Sequence, residues 1–306
     1  MNEFPVFYLP DNQEVLADPK HSILHNSLAF NIPHTSVCGG KGRCSTCRIV
    51  ILNGLEFCSP RSAAEQILAT RLSFNNNTRL ACQTYIHGPI QLRRMVIDED
   101  DICVTKLLNR ENEITSIGEE KQVAIMFADI RDFTSLSEKL PPYDVIHILN
   151  RYFNTMHKII SQHDGYIDNY MGDGLLAIFG TQNSSAAAQH AVQAALAMLE
   201  AIPRLNIYLQ NLYQQEIKIG IGIHYGDVVI GSLGVADYQK KTVIGDNVNL
   251  ASRVEAANKE IGSSILVTDA VYRQIEGQFE IRQCFHTKIR GKSGEYILCE
   301  IISSNI

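Results

Sequence analysis

The sequence predicts an α+β protein built from two domains. Its 306 residues exceed the length of a typical single domain. Three cysteines cluster in a glycine-rich loop within the first fifty residues, between short apolar segments of strand length. Beyond residue 120, segments with helical periodicity alternate with strand-like apolar runs, the pattern of helices packed on one sheet. We therefore expect domains at residues 1–97 and 121–306, joined by a linker at 98–120.

Composition and charge are those of an ordinary globular protein, with 45% hydrophobic and 20% charged residues. The first 97 residues carry a formal charge of +3 and the remainder −9, so neither part has the dense basic face of a nucleic-acid binder. No apolar run reaches the roughly 18 residues that span a bilayer, and no signal peptide is evident. We expect a cytoplasmic protein whose eight cysteines need a reason other than disulfides.

The N-terminal domain is predicted to be a small sheet with one helix near its start. Ser22 is a helix N-cap candidate, with the helix running to Asn31 before Pro33 stops it. An Asn53-Gly54 turn follows the strand that comes after the cysteine loop. Strands are expected at residues 4–8, 14–17 and 49–52.

Four cysteines of this domain have the spacing of metal ligands, Cys-x5-Cys-x2-Cys followed by a fourth after 34 residues. Four thiolates can hold two irons and two bridging sulfides. The glycines between the first two cysteines let the loop wrap tightly and turn its amide N–H groups onto sulfur. A structural zinc site is the main alternative, although zinc sites usually pair two Cys-x2–4-Cys arms, and simple burial of the thiols is the third. The four residues are Cys38, Cys44, Cys47 and Cys82.

The C-terminal domain begins with an apolar run at 123–126 that leads into a carboxylate, Asp129. About forty residues later, a Gly-Asp-Gly turn predicts a hairpin at 166–179. If the hairpin pairs with the first strand, Asp129 and Asp173 lie side by side. Two adjacent carboxylates without a His or Cys cage suit Mg²⁺ or Mn²⁺, with substrate phosphates completing the coordination.

Three long helices are predicted in the same domain. The first, at 141–163, has one apolar face, and the third lies at 247–259. Between them an alanine-rich helix is expected, capped by Asn183 or Ser184 and interrupted by Pro203. The remaining strands are expected at residues 217–224, 227–230, 242–244, 264–267, 279–285 and 296–301.

Three blocks of this domain, in this order, resemble the class III nucleotidyl cyclases. They are Phe-Ala-Asp-Ile-Arg-Asp-Phe-Thr at 127–134, Met-Gly-Asp-Gly at 171–174 and Val-Ile-Gly-Asp-Asn-Val-Asn-Leu-Ala-Ser-Arg at 243–253. The resemblance covers about 121–301 and implies a palm-type α/β sandwich of ferredoxin-like topology. It also implies a signalling enzyme, a homodimeric lyase that converts ATP into 3′,5′-cyclic AMP and pyrophosphate with two Mg²⁺ or Mn²⁺ ions.

The same resemblance implies roles for individual residues around the metals. Asp129, Asp173 and the Ile130 carbonyl are implied metal ligands, and backbone amides around Phe133 and Thr134 are implied to meet the outer phosphates. Within the first block, residue 132 is an aspartate where the family usually has glycine. Its charge would repel phosphate unless the side chain points away.

Further residues are implied to act on the nucleotide. Asn249 and Arg253 lie four apart on one helix face, and the resemblance implies that the partner subunit supplies them to stabilise charge on the transferring phosphate. Arg290 matches a terminal-phosphate lysine. The positions that read the base hold Asn169, where a lysine is usual, and Thr242, which matches an adenylate cyclase subgroup. Since an amide both donates and accepts hydrogen bonds, ATP is favoured mainly by Thr242, and GTP is the alternative.

The N-terminal domain, over about 4–97, resembles [2Fe–2S] ferredoxins of the β-grasp type, which implies that its four spaced cysteines are the cluster ligands. A cluster supplies no cyclisation chemistry, so we expect the redox state or the presence of the cluster to regulate the cyclase, with an unidentified redox partner. The linker, with acidic residues at 98–101 and a helix expected to begin near Asp101, would relay the signal. The other cysteines are expected to be ordinary buried or half-buried residues: Cys58, Cys103, Cys284 and Cys299.

Three other functions compete with an adenylate cyclase. A guanylate cyclase is the alternative within the family. An electron carrier whose C-terminal domain only binds nucleotide needs no transition-state pair such as Asn249 and Arg253, and no Gly-x-Gly-x-x-Gly loop of a flavin or nicotinamide reductase is present. A pseudoenzyme would be expected to lack Asp129 or Asp173, and both are present.

Overall fold

The computed structural model describes residues 3–95, 118–234 and 239–304. The chain divides into two compact units: one comprises residues 1–119 and 232–240, and the other 120–231 and 241–306. The acidic run at 98–101 and the helix expected near Asp101 lie outside the described residues. The role of the linker therefore stays a prediction.

The first unit contains a five-stranded β-grasp sheet with strand order β2-β1-β5-β3-β4. Ser22 caps the first helix as predicted, its Oγ accepting the His25 N–H at 3.3 Å. The helix ends before the predicted Asn31, because that residue takes a left-handed conformation with φ of 57°. The elements are β1 Phe4–Leu9, β2 Gln13–Ala17, α1 Ile23–Ala29, β3 Arg48–Asn53, a 3-10 turn Leu55–Phe57, α2 Ala63–Arg71, β4 Thr78–Leu80 and β5 Ile90–Arg94.

A buried ion pair ties α2 to β4 in this unit. Arg79 Nε and Nη2 donate to the two Glu65 carboxylate oxygens at 2.9 and 3.0 Å, and the Leu80 N–H donates to Glu65 at 2.8 Å. The two charged side chains are 4% and 0% exposed. Because β4 leads directly to Cys82, this pair fixes the strand that presents the fourth cysteine.

The second unit is built on an eight-stranded sheet of order β12-β13-β11-β9-β6-β8-β7, with β10 paired to β9. Its helices cover the sheet with apolar faces, among them Ile148 and Met156 of α4 and Met198 of α5. The strands are β6 Gly118–Ile130, β7 Gly165–Met171, β8 Gly174–Phe179, β9 Ile219–Leu233, β10 Lys240–Ile244, β11 Ile265–Thr268, β12 Phe279–Thr287 and β13 Tyr296–Ser304. The helices are α3 Phe133–Lys139, α4 Pro142–Gln162, α5 Ala187–Tyr213, α6 Asp246–Ile261 and α7 Asp269–Ile275.

Three secondary-structure predictions in this unit are wrong. The N-cap of the alanine-rich helix is Ala186 and not Asn183 or Ser184. Pro203 does not interrupt the alanine-rich helix, since α5 continues to Tyr213. Ile202 and Leu205 are buried on either side of the proline, and this packing outweighs the lost backbone hydrogen bond. The strands expected at 217–224 and 227–230 form one continuous strand, β9.

The expectation that the cysteines other than the four spaced ones are ordinary thiols is wrong for one pair. Cys284 and Cys299 face each other in the antiparallel β12–β13 register and form a disulfide, so this pair is not two ordinary thiols. The register of β12 against β13 places the two Cα atoms 4.0 Å apart. The order of residues within each strand does not determine this register, so the disulfide was not predicted. Cys58 is a buried free thiol as expected, and Cys103 lies outside the described residues.

No helix in the described ranges combines the length and the apolar character that crossing a membrane requires.

Replacing Glu65 with Ala should destabilise the first unit by about 3–5 kcal/mol, because it leaves the buried Arg79 guanidinium without its counter-charge. Hydrogen–deuterium exchange of the β3–β5 amides in the full chain would measure this as faster exchange. The exposed Glu14 on β2 is the matched control, and Glu14→Ala should change stability by less than about 0.5 kcal/mol. Equal protection in the two variants would contradict the assigned importance of the pair.

Candidate functional site

Two carboxylates meet where β6 ends and β7 turns into β8. The antiparallel register pairs Ala128 with Leu175, which places Asp129 beside Asp173. The two side chains are hydrogen-bonded to each other, and burial, this hydrogen bond and the Asp129 charge together raise the pKa of Asp173 to about 7. A Cβ on Gly174 would lie 3.1 Å from Asp129 Oδ1, so the turn keeps space around the pair.

A cavity of about 460 Å³ opens onto this carboxylate pair. Five of the predicted metal and phosphate residues border it, namely Asp129, Ile130, Phe133, Thr134 and Asp173, whereas Arg290 does not. The donor set is two carboxylates with no His or Cys, which fits Mg²⁺ or Mn²⁺. The bordering residues are Asp129, Ile130, Arg131, Asp132, Phe133, Thr134, Ser135, Glu138, Asp173 and Lys259.

The structure accounts for the unusual Asp132. The residue precedes α3 with φ of 55°, a left-handed conformation that glycine adopts freely and aspartate tolerates better than most residues. Its exposed carboxylate lies 3.9 Å from Lys259 Nζ. The lysine charge therefore offsets the repulsion that Asp132 would otherwise exert on phosphate.

A second charged pair lies behind the carboxylates. Arg131 Nη1 is 3.3 Å from Glu255 Oε1, and the side chains are 20% and 12% exposed. Burial raises the pKa of Glu255 to about 7; Arg131 opposes this shift, while the Asp129 and Asp173 charges add to it. Cations bound to the two aspartates would cancel their contribution and favour the ionised Glu255.

The predicted transition-state residues lie on α6, away from this cavity. Asn249 is exposed and Arg253 half-buried, and neither is among the residues that border the cavity in the described part of the chain. Arg253 Nη1 donates to the Arg290 backbone carbonyl at 2.5 Å. Arg290, predicted to bind the terminal phosphate, thus contacts Arg253 through its backbone, while Lys292 forms an ion pair with Asp246 at the start of α6.

Asp168 connects the two predicted base-reading positions, because it directly precedes Asn169 and contacts Thr242. Its role was not predicted from the sequence. Thr242 Oγ1 donates to Asp168 Oδ2 at 2.7 Å. Asp168 is the extra residue of a β-bulge between Ile167 and Asn169, and it is only 8% exposed. Asn169 itself is exposed on β7.

The four spaced cysteines come together in the first unit as two pairs. Cys47 Sγ lies 3.4 Å from Cys82 Sγ, and Cys38 is hydrogen-bonded to Cys44. The Cys44 hydrogen bond and the backbone N–H groups of the loop lower the pKa of Cys38 to about 5, against the effect of burial. Among the described residues, no three or more His, Cys, Asp or Glu side chains surround one point as ligands of a single ion.

The loop around these sulfurs is suited to an iron–sulfur cluster. Gly39, Gly40 and Gly42 all have positive φ, between 63° and 76°. The Gly42 N–H and the Gln83 side-chain amide both donate to Cys82, the latter at 3.6 Å. Such N–H···S contacts stabilise thiolate ligands. The donor set of four sulfurs with amide donors therefore fits a [2Fe–2S] group.

Comparison with known sequence families agrees with both centres. The model of the adenylate and guanylate cyclase catalytic domain matches residues 116–300. The chain belongs to this cyclase family. The model of the 2Fe-2S iron-sulfur cluster binding domain matches residues 6–87, a range that contains all four spaced cysteines.

Curated relatives match the cyclase domain of this chain. The adenylate cyclase of Anabaena cylindrica is 34% identical over 198 residues, covering 62% of this chain and 39% of that protein. Adenylate cyclase 1 of Rhizobium meliloti (strain 1021) is 33% identical over 183 residues, covering 60% of this chain and 28% of that protein. The chain thus matches well under half the length of these relatives.

Solved structures share the fold of the cyclase domain. The guanylyl cyclase Cya2 has a TM-score of 0.58 at 30% identity, covering 61% of this chain and 95% of that one. The adenylyl cyclase CyaB from P. aeruginosa has a TM-score of 0.57 at 29% identity, covering 61% and 97%.

Several residues of the cyclase site were missed by sequence reasoning. Arg131 and Glu255 had one available signal, the two glycines at 220 and 222 within an apolar strand, which indicate close approach of another element. Asp168 had no signal, because a bulge in the β7–β8 register is not visible in the strand pattern. Lys292 lies two residues beyond Arg290, and its ion pair with Asp246 was not predicted.

Replacing Gly42 with Ala should prevent the cysteine loop from closing, because the new Cβ would lie 3.1 Å from Ala64 Cβ and from the Gln83 side chain at a φ of 65°. We expect purified protein with much less iron and weaker visible absorbance. Gly277→Ala is the control for left-handed strain alone, since its φ is 78° and its added Cβ would have no neighbour within 4 Å. Full iron content in Gly42→Ala would contradict the assigned loop geometry.

Proposed function

We propose that this protein is a homodimeric adenylate cyclase that converts ATP into 3′,5′-cyclic AMP and pyrophosphate. The observation that carries the proposal is the Asp129–Asp173 pair at the edge of a cavity bordered by the start of α3. Asp129, Asp173 and the Ile130 carbonyl would hold two divalent cations. When bound, such ions activate the ribose 3′-hydroxyl and neutralise charge on the triphosphate.

The protein groups around the cavity position the triphosphate. The backbone amides of Phe133 and Thr134, in the first turn of α3, are the proposed donors to its outer phosphates. Lys259 adds a positive charge to the same cavity and offsets Asp132. This arrangement favours an anionic ligand in front of the carboxylate pair once cations are present.

Placement of the α6 residues supports a site shared between two protomers. Asn249 and Arg253 do not border the cavity of their own protomer, as expected if they serve the partner's cavity. The contact with the Arg290 carbonyl uses one N–H of Arg253, and a guanidinium has five. The remaining donors are proposed to stabilise negative charge on the transferring phosphate.

The hydrogen bond between Thr242 and Asp168 supports ATP as the substrate. Thr242 has one hydroxyl proton, and it is donated to the Asp168 carboxylate. The Thr242 oxygen therefore offers only lone pairs to a base, which match the exocyclic amino group of adenine and oppose the carbonyl oxygen of guanine. The two curated relatives described above, both named adenylate cyclases, point in the same direction.

GTP is the second candidate substrate. Asn169 carries an amide N–H that is able to donate to a guanine carbonyl, and a guanylyl cyclase is among the similar solved structures. The electron-carrier alternative assigns no reaction to Asp129 and Asp173.

We propose further that Cys38, Cys44, Cys47 and Cys82 hold a [2Fe–2S] cluster that regulates the cyclase. The amide donors around Cys38 and Cys82 support this assignment. One-electron reduction adds one negative charge to the first unit and transfers no group to the nucleotide, so the cluster suits a regulatory role.

Anaerobic turnover with Mn²⁺ is the direct test of this function. ATP and GTP are offered separately to cluster-containing protein, before and after reduction with dithionite. We expect cyclic AMP as the main product and a rate that changes with reduction. Equal rates in the two states would contradict redox regulation while retaining the cyclase, and no cyclic product from either nucleotide would favour the electron carrier.

Replacing Asp129 with Ala should abolish cyclic AMP formation, since it removes one of two proposed metal ligands. The visible absorbance of the cluster should be unchanged, because the cysteines lie in the other compact unit. Asp144→Ala, at the start of α4, is the control and should retain the rate. Normal turnover by Asp129→Ala would show that the metal assignment is wrong.

A further inference from the structure

Arg131 and Glu255 each lie two residues from a group that the proposed reaction needs. Arg131 follows the metal ligand Asp129 by two positions, and Glu255 follows Arg253 by two positions on α6. Their side chains form an ion pair at 3.3 Å, and both are largely buried. The pair therefore joins the end of the metal-binding strand to the helix that carries the proposed transition-state arginine.

Strand β9 makes room for this ion pair with two glycines on one face. A Cβ on Gly220 would lie 1.8 Å from Arg131 Nη2 and 2.2 Å from its Cζ. A Cβ on Gly222 would lie 2.1 Å from the Glu255 backbone nitrogen. Glycine weakens a strand interior, so its use at two alternate positions indicates that the close contact of Arg131 and α6 with β9 outweighs that cost.

Two hydrogen bonds also anchor the segments that carry the ion pair, one to the residue before β9 and one to β9 itself. The Arg131 N–H donates to the Lys218 carbonyl at 2.8 Å, and Asn258 Nδ2 of α6 donates to the Ile221 carbonyl at 2.8 Å. Two buried atoms, Arg131 Nη2 and Glu255 Oε1, form no hydrogen bond within the described residues, so the contact of Glu255 Oε1 with Arg131 Nη1 is an ion pair without a hydrogen bond. Because neither buried atom has a hydrogen bond elsewhere, the two charges hold each other in position.

We propose that Arg131 and Glu255 are positioning residues that link the metal site of one protomer to the arginine it supplies to its partner's site. This inference rests on the proposed shared-site homodimer. The path runs from Asp129 through Arg131 and Glu255 to Arg253, along β6, β9 and α6. A displacement of Asp129 in one protomer would then shift α6 and the Arg253 that this protomer supplies to its partner. In this way the two active sites of the dimer are coupled.

The test uses a heterodimer with one complete site. One chain carries Asp129→Ala and supplies only Arg253, while the other carries Arg253→Ala and supplies only the metal carboxylates. Differently tagged chains are co-expressed and the heterodimer is purified through both tags. Arg131→Met is then added to either chain, so that its effect on α6 and its effect on the metal site are measured separately.

We expect Arg131→Met in the chain that supplies Arg253 to lower kcat by about tenfold to hundredfold with little change in the KM for ATP, because a misplaced donor weakens transition-state binding. Arg131→Lys, which keeps the charge, should recover part of the rate. An unchanged rate would overturn the link. Loss only when the substitution lies in the metal-supplying chain would overturn it as well, since Arg131 would then act on its own metal site alone.

Two further variants keep the test independent of folding. Gly220→Ala displaces the flexible end of Arg131 without removing its charge, and in the Arg253-supplying chain it should reproduce the loss. Arg282→Met removes another Arg–Glu ion pair of the same unit, with Glu300 at 3.1 Å, and should leave the rate unchanged. Losing as much rate in Arg282→Met as in Arg131→Met, or full activity of Gly220→Ala, would overturn the link.

The heterodimer without further substitutions separates this inference from the function on which it rests. If it forms no cyclic AMP although each chain folds and dimerises, the shared site is wrong and the link falls with it. If it is active but insensitive to Arg131→Met in the Arg253-supplying chain, the link alone is wrong.

Discussion

Close approach of the Asp129 and Asp173 carboxyl groups is the constraint on which the cyclase domain depends. The β6–β8 register brings the two groups together, and a hydrogen bond between them offsets the repulsion of two like charges. The fold accepts a raised pKa at Asp173 in order to keep an oxygen-only site in front of a cavity. Arg131 and Lys259 both border the cavity and supply positive charge near the carboxylate pair. The arrangement is strained electrostatically without cations and complementary to them.

Two centres of opposite ligand character lie in one chain. The first unit offers four sulfurs with amide donors, and the second offers the adjacent Asp129 and Asp173 carboxylates, with no sulfur ligand among the described residues that border the cavity. Thiolates select iron–sulfur clusters and carboxylates select hard divalent ions, so the chemistry of the ligands assigns each metal to its own unit. The separation keeps sulfur ligands in one unit and oxygen ligands in the other.

Sequence reasoning was most successful where the signal is local. The first strand with its carboxylate near the end, the Gly-Asp-Gly turn and the Ser22 cap all depend on neighbours within a few residues, and the structure has each element, with Asp129 as the penultimate residue of β6. The failures involve contacts between distant segments. Continuation of α5 through Pro203, the bulge at Asp168, the Cys284–Cys299 disulfide and the Arg131–Glu255 pair all follow from packing or strand register. A single sequence gives the pattern of each strand and leaves its register open.

The contact between Arg253 and the loop after β12 depends on the backbone carbonyl of Arg290 and on the absence of a side chain at Gly291. The Arg290 carbonyl accepts the arginine whatever the side chain at 290, whereas a Cβ on Gly291 would lie 2.9 Å from Arg253 Nη1. The contact therefore leaves the side chain at position 290 free to vary and requires a residue without a Cβ at position 291. Exchange of the side chain at position 290 would change the chemistry of this loop and leave the orientation of Arg253 unchanged.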